Sequence, residues 1–191
     1  MTLSPFDDLA RFCELLSDTN IHNIIVGSIA AMHFGEPRAT IDIDLVLNAA
    51  PEDAARIASA FRDERFYVPP ISVIERELRR SGGQFNIIDT TTGLKADCYS
   101  ADKDELGQYQ FAHAIAGVLG TTPVYFAPPA AVIAKKLQYH AMSHQDKHLR
   151  DIRAMLALSP ELIDLGFLEQ WTETHGLSVI WRQCRSRVGE A

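Results

Sequence analysis

The chain has 191 residues, 47% hydrophobic and 23% charged, with a formal net charge of −7. That balance fits one globular domain, or a core with a smaller appended lobe, and argues against non-specific coating of nucleic acid. No apolar run approaches the roughly 18 residues of a membrane span, and the start "MTLSPFDDLARF" lacks a signal-peptide pattern. Cys13, Cys98 and Cys184 are odd in number and scattered, so we expect reduced thiols, a cytoplasmic location and no membrane partner.

Ser4-Pro5-Phe6-Asp7 predicts a helix start with Ser4 as N-cap, continued by Phe6, Leu9, Phe12, Cys13 and Leu16 at helical spacing. "NIIVG" (23–27) reads as a buried strand and "SIAAMHFG" (28–35) as a short helix closed by Gly35. "TIDIDLVLN" (40–48) is a strand by alternation, with Ile41, Ile43 and Leu45 on the buried side. "PEDAARIASAFRDE" (51–64) predicts an amphipathic helix, and "RELRRSGGQ" (76–84) a loop or mobile link. "FNIID-TTTG-LKADCYS" (85–100) predicts two strands joined by a turn, and "PVYFA" (123–127) another strand.

After Pro128-Pro129 the pattern turns helical, over 130–142 and 145–158 and then in shorter pieces around 160–175 and 178–187. The expected organisation is an α/β (α+β) core over 1–126, a small mixed β-sheet flanked by helices, with a C-terminal helical lobe over 127–191. Charge follows the same division: residues 1–126 carry net −8, 127–158 net +3, and 159–191 net −2. The basic segment reads either as a phosphate-facing wall or as a solvated helix face.

Asp42 and Asp44 lie at i and i+2 of a strand, so they share a face. Two carboxylates there suit a hard divalent cation, Mg²⁺ or Mn²⁺; the alternative is an exposed edge strand where both meet water. Upstream, Gly27-Ser28 opens the short helix, where a hydroxyl and backbone N–H groups can hold phosphate oxygens. Gly-Ser followed at this distance by Asp-x-Asp resembles the signature of the DNA polymerase beta-type nucleotidyltransferase superfamily. That resemblance implies a third carboxylate on a neighbouring strand. "LKADCYS" supplies Asp97, on one side with Lys95 and Tyr99, while the rival Asp89 sits in a turn.

"VGSIAAMHFGEPRATIDIDLVL", "LKADCY" and "AAVIAKKLQYHAMSHQDKHLRDIRAML" are most similar to minimal nucleotidyltransferases of the AbiEii abortive-infection toxin type. The resemblance implies transfer of a nucleoside monophosphate from an NTP to an acceptor hydroxyl, on a tRNA end or a protein, and an antitoxin partner. It implies Asp42, Asp44 and Asp97 as catalytic metal ligands, with Gly27, Ser28, Arg38, Thr40, Lys136 and Asp151 binding nucleotide. A non-catalytic nucleotide- or partner-binding module on the same fold is the alternative, motivated by the acidic surface.

Helical geometry bears on the lysine separately. At 100° per residue, Lys136 lies about 60° from the buried Ile133 and Lys135 about 160° away, so Lys136 borders the core. On the next helix Leu149, Ile152 and Leu156 form the expected stripe, with Asp151 near it and Arg150 outside. Lys136 and Asp151 then form either a packing ion pair or an oriented triphosphate ligand. Arg38 is either a surface partner of Glu36 or Asp42, or a phosphate or base contact. His140, His144 and His148 have zinc-like spacing, but Met142-Ser143 is expected to break the helix and no further ligand completes a site. Trp171 and Trp181 read as core of the helical lobe.

Overall fold

The computed structural model describes residues 5–186, so Ser4, read above as an N-cap, lies outside the described residues. In chain order the elements are α1 (Pro5–Ser17), β1 (His22–Val26), α2 (Gly27–Phe34), β2 (Asp42–Asn48), α3 (Ala54–Ala60), β3 (Phe66–Tyr67), α4 (Ile71–Arg79), β4 (Gln84–Asp89), β5 (Lys95–Ser100), α5 (Glu105–Ala112), β6 (Ile115–Leu119) and β7 (Thr122–Phe126). Then come α6 (Pro129–Ser143), α7 (Asp146–Leu158), α8 (Leu165–Thr174) and α9 (Ser178–Ser186). The seven strands form one mixed sheet in the order β3-β4-β5-β2-β1-β7-β6. This is the expected α/β class with helices at the C-terminal end. No helix among the described residues is long and apolar enough to cross a membrane.

Two compact units divide the chain, and the division is not a single cut: 1–26 with 40–126 form one, and 27–39 with 127–191 the other. The reason is α2. Its Ile29, Ala30, Ala31 and Phe34 are buried, and it packs on α6 and α7. In the sheet-bearing unit, Leu9, Phe12 and Leu16 of α1 are buried, and Phe12 meets Phe61 and Phe66 with ring centroids 6.1 and 5.7 Å apart. In the helical unit Ile133, Leu137, Ile152, Met155, Leu168, Trp171, Trp181 and Cys184 are buried, so both tryptophans are core.

Several elements depart from the sequence reading. Residues 76–79 are not a loop: they complete α4, whose Ile74 and Leu78 are buried. The dense charge that suggested a loop is paired, with Glu77 buried and 3.0 Å from Arg76 and 2.7 Å from Arg80. α5, β3 and β6 were not anticipated; β6 is supplied by pairing with β7, a partner its Gly-containing sequence does not announce. The helix expected over 51–64 is regular only over 54–60, after a short 3₁₀ turn at Pro51–Asp53. β2 begins at Asp42, and Ile41, expected inside, is 68% exposed because it precedes the strand. On α7 the buried residues are Asp151, Ile152 and Met155, while Leu149 and Leu156 are half-buried. α6 runs through Met142 and Ser143 and stops at His144, which has φ of 55°.

Candidate active site

β2 is the fourth of seven strands, so Asp42 and Asp44 do not stand on an exposed edge. Ile43, Leu45 and Leu47 are buried on one side, and the two aspartates face the other, half-buried. β5 pairs parallel to β2 with Asp44 opposite Asp97 and Asp42 opposite Lys95. Asp97 is 7% exposed. The amide of Asn86, opposite it on β4, donates to its Oδ1 at 2.9 Å when turned to face acceptors. Tyr99 Oη donates to Asp44 Oδ1 at 3.4 Å, and Thr40 Oγ1 donates to Asp42 Oδ1 at 2.7 Å.

Lys95, which the sequence reading did not single out, joins this group. Its Nζ lies 2.8 Å from Asp97 Oδ2, 3.2 Å from Oδ1 and 3.8 Å from Asp42 Oδ2. The hydrogen bond to Asp97, with the charges of Asp97, Asp42 and Asp44 behind it, raises the Lys95 pKa against the opposing effect of burial. The signal was available, since Lys95, Asp97 and Tyr99 alternate along β5; the register that sets Lys95 beside Asp42 was not.

Asp89 does something else. It is buried, takes hydrogen bonds from Arg65 Nε (2.6 Å), Thr91 N (2.9 Å) and Thr91 Oγ1 (2.6 Å), and closes the β4–β5 turn. Burial alone would raise its pKa; the bonds from Arg65 and Thr91 outweigh it and hold the carboxyl well below the usual range.

Among the described residues, no three His, Cys, Asp or Glu side chains stand arranged to hold a metal ion, the three aspartates included. The donor set still suits a hard divalent cation. It consists of carboxylates only, in adjacent positions of two strands, and Asp42 and Asp97 already share one cation, Lys95. The three histidines offer less: His140 Nδ1 is engaged with Gln145 O at 3.2 Å, and His144 is a helix cap.

The second polar group belongs to the helical unit. Gly27 opens α2 with φ of 63°, a conformation that favours glycine, directly before Ser28. Arg38 Nη2 donates to Ser28 Oγ and lies 3.7 Å from Asp151 Oδ2; its partners are therefore Ser28 and Asp151, not Glu36 or Asp42. Lys136 Nζ donates to the same Oδ2 at 2.7 Å, with Lys136 5% and Asp151 8% exposed, whereas Lys135 is half-buried. Close packing sets this up. An added Cβ on Gly35 would lie 2.8 Å from Ala31 O and 3.2 Å from Ala154 Cβ, so glycine lets the chain after α2 run against α7. A cavity of about 170 Å³ opens there, with Pro37, Arg38, Arg150 and Asp151 in its wall.

Carboxylates set side by side on β2 and β5 are donors for a hard cation, and the Ser–Arg–Asp–Lys cluster of the helical unit carries donors of the kind that bind phosphate. The model of the "Nucleotidyl transferase AbiEii toxin, Type IV TA system" family matches residues 27–183. The chain belongs to this family. As an AbiEii family member it is a nucleotidyltransferase, and solved structures agree on the fold. The solution structure of the antibiotic-resistance factor ANT(2'')-Ia is 15% identical, with a TM-score of 0.61 over 97% of this chain and 95% of that one. A crystal structure of ANT(2'')-Ia in complex with adenylyl-2''-tobramycin is 18% identical, with a TM-score of 0.58 over 95% and 97%. An antigenic nucleotidyltransferase-like protein from Paracoccidioides brasiliensis is 14% identical, with a TM-score of 0.59 over 97% and 90%. No protein with curated annotation matches the sequence significantly.

Proposed function

We propose that this AbiEii family member transfers a nucleoside monophosphate from an NTP to an acceptor hydroxyl, with Mg²⁺ or Mn²⁺ held by Asp42, Asp44 and Asp97. The observation that carries this reading is the register: Asp44 lies beside Asp97 on parallel strands, with Asp42 two residues along the same face. A divalent ion on such carboxylates neutralises phosphate charge and lowers the pKa of the attacking hydroxyl. The chain's own groups do the rest. Asp97 accepts or orients the acceptor's proton, and Asn86 holds its carboxylate in position. Thr40 fixes the Asp42 carboxylate. Ser28 and the N–H groups opening α2 bind phosphate oxygens, Lys136 oriented by Asp151 binds the triphosphate, and Arg38 binds a phosphate or the base.

The acceptor in this proposal is an RNA end, such as that of tRNA, or a protein, and the family's toxin–antitoxin name supports an antitoxin partner. A cytoplasmic location belongs to the same reading, supported by three buried cysteines that form no disulfide. A second reading, a non-catalytic nucleotide- or partner-binding module, draws on one observation: Lys95 already pairs with Asp97 and lies near Asp42, where a metal would bind.

Incubation with each labelled NTP, Mg²⁺ or Mn²⁺, and total RNA or lysate tests the proposal. A labelled RNA or protein band and released pyrophosphate are expected, and both vanish in Asp97→Asn and in Asp42→Ala/Asp44→Ala. Tight NTP binding without pyrophosphate would favour the module instead.

A further inference from the structure

Strand register builds a cation into the carboxylate group. Lys95 is the β5 residue opposite Asp42, and it precedes Asp97 by two, so its side chain emerges on the aspartates' own face. The ammonium engages both oxygens of Asp97 and lies near Oδ2 of Asp42. Those are oxygens that a divalent ion on these carboxylates also needs. Two cations cannot share them at such distances without strong mutual repulsion.

Resting on the metal-site reading above, we propose that Lys95 is an internal competitor for the divalent cation. It pairs with Asp97 and offsets part of the charge of Asp42 in the metal-free protein, and it must leave Asp97 before an ion binds. Its long stem, with the side chain 34% exposed, gives it room to swing outward. Displacement leaves an ammonium without its carboxylate, and a polyphosphate is the anion best suited to take it up. Metal and nucleotide therefore load together, and free metal binds poorly alone. The device keeps the site closed to stray divalent ions until an NTP arrives.

The test is Mn²⁺ binding followed by calorimetry and electron paramagnetic resonance on wild type, Lys95→Met, Lys95→Gln and Lys95→Arg, with and without a non-hydrolysable NTP. Without nucleotide, Lys95→Met and Lys95→Gln should bind Mn²⁺ about ten-fold more tightly than wild type, equivalent to about 1.4 kcal/mol. Lys95→Arg, which keeps the charge, should stay close to wild type. Saturating nucleotide should narrow the difference. Melting in excess EDTA should fall in Lys95→Met, because the carboxylates lose their counter-charge. A lower melting temperature with unchanged nucleotide-free Mn²⁺ affinity would overturn the competitor role and leave the metal site standing. Failure of every variant to bind Mn²⁺, with nucleotide or without, would overturn the metal site and this proposal together.

Discussion

The Lys136–Asp151 pair offers the most direct check on the helical unit. Its Nζ–Oδ2 distance is 2.7 Å, and the two side chains are only 7% and 9% exposed. Deleting one member of such a pair leaves a buried charge uncompensated, at a cost of about 3–5 kcal/mol, whereas replacing both is often nearly neutral. Arg38 makes the two single variants unequal. Its Nη2 is 3.7 Å from the same carboxylate oxygen, so in Lys136→Met Asp151 keeps a cation nearby. We expect the low end, about 3 kcal/mol. In Asp151→Asn the buried ammonium and the guanidinium both lose their carboxylate, and we expect the high end, about 5 kcal/mol. For a chain of this size each 1 kcal/mol moves the melting temperature by roughly 2–4 °C, giving falls of about 6–12 °C and 10–20 °C. Both tryptophans, Trp171 and Trp181, are buried in the helical unit, so indole fluorescence during urea unfolding reports on the unit that holds the pair. The double variant should recover at least half of the larger loss. Equal costs for the two single variants, or costs that simply add in the double one, would refute the shared-carboxylate geometry. Nucleotide affinity gives the functional arm: Lys136→Ala should lose roughly ten- to hundred-fold, from a charge-assisted contact of about 1.5–3 kcal/mol. Lys135→Ala should leave it nearly unchanged.

Asp89→Asn should lower stability at neutral pH while leaving nucleotide affinity intact. Because its native pKa is depressed, the stabilisation is full above the unfolded value of about 3.9 and shrinks as pH falls below it, so melts across acidic pH should show wild type and variant converging. Gly35→Ala drives a Cβ to 2.8 Å from Ala31 O and 3.2 Å from Ala154 Cβ. It should cost about 1–3 kcal/mol in the same fluorescence assay.

Local periodicity was enough to place much of the candidate site. Alternation along β2 put Asp42 and Asp44 on one face, alternation along β5 put Asp97 with Lys95 and Tyr99, and the 100° helical step turned Lys136 inward. Turn chemistry separated Asp89 from Asp97. Such readings work because strand and helix geometry is a property of neighbouring residues. The same locality explains the failure at α4, where paired charges looked like a solvated loop until Arg76 and Arg80 were seen to bracket a buried Glu77.

What tertiary structure alone decided is non-local. That residues 27–39 group with 127–191 follows from the packing of α2 on helices more than ninety residues away. Arg38 finds Asp151 rather than its near neighbours Glu36 and Asp42 by the same route. The pairing of β2 with β5 is the decisive case. Each strand's alternation says which residues share its own face, but only hydrogen-bond register between strands some fifty residues apart sets Asp44 beside Asp97 and Lys95 beside Asp42. A slip of one residue would turn either strand's polar side into the core, so the buried faces of both strands, packed with Ile43, Leu45, Ala96 and Cys98, hold the carboxylates and their lysine in place.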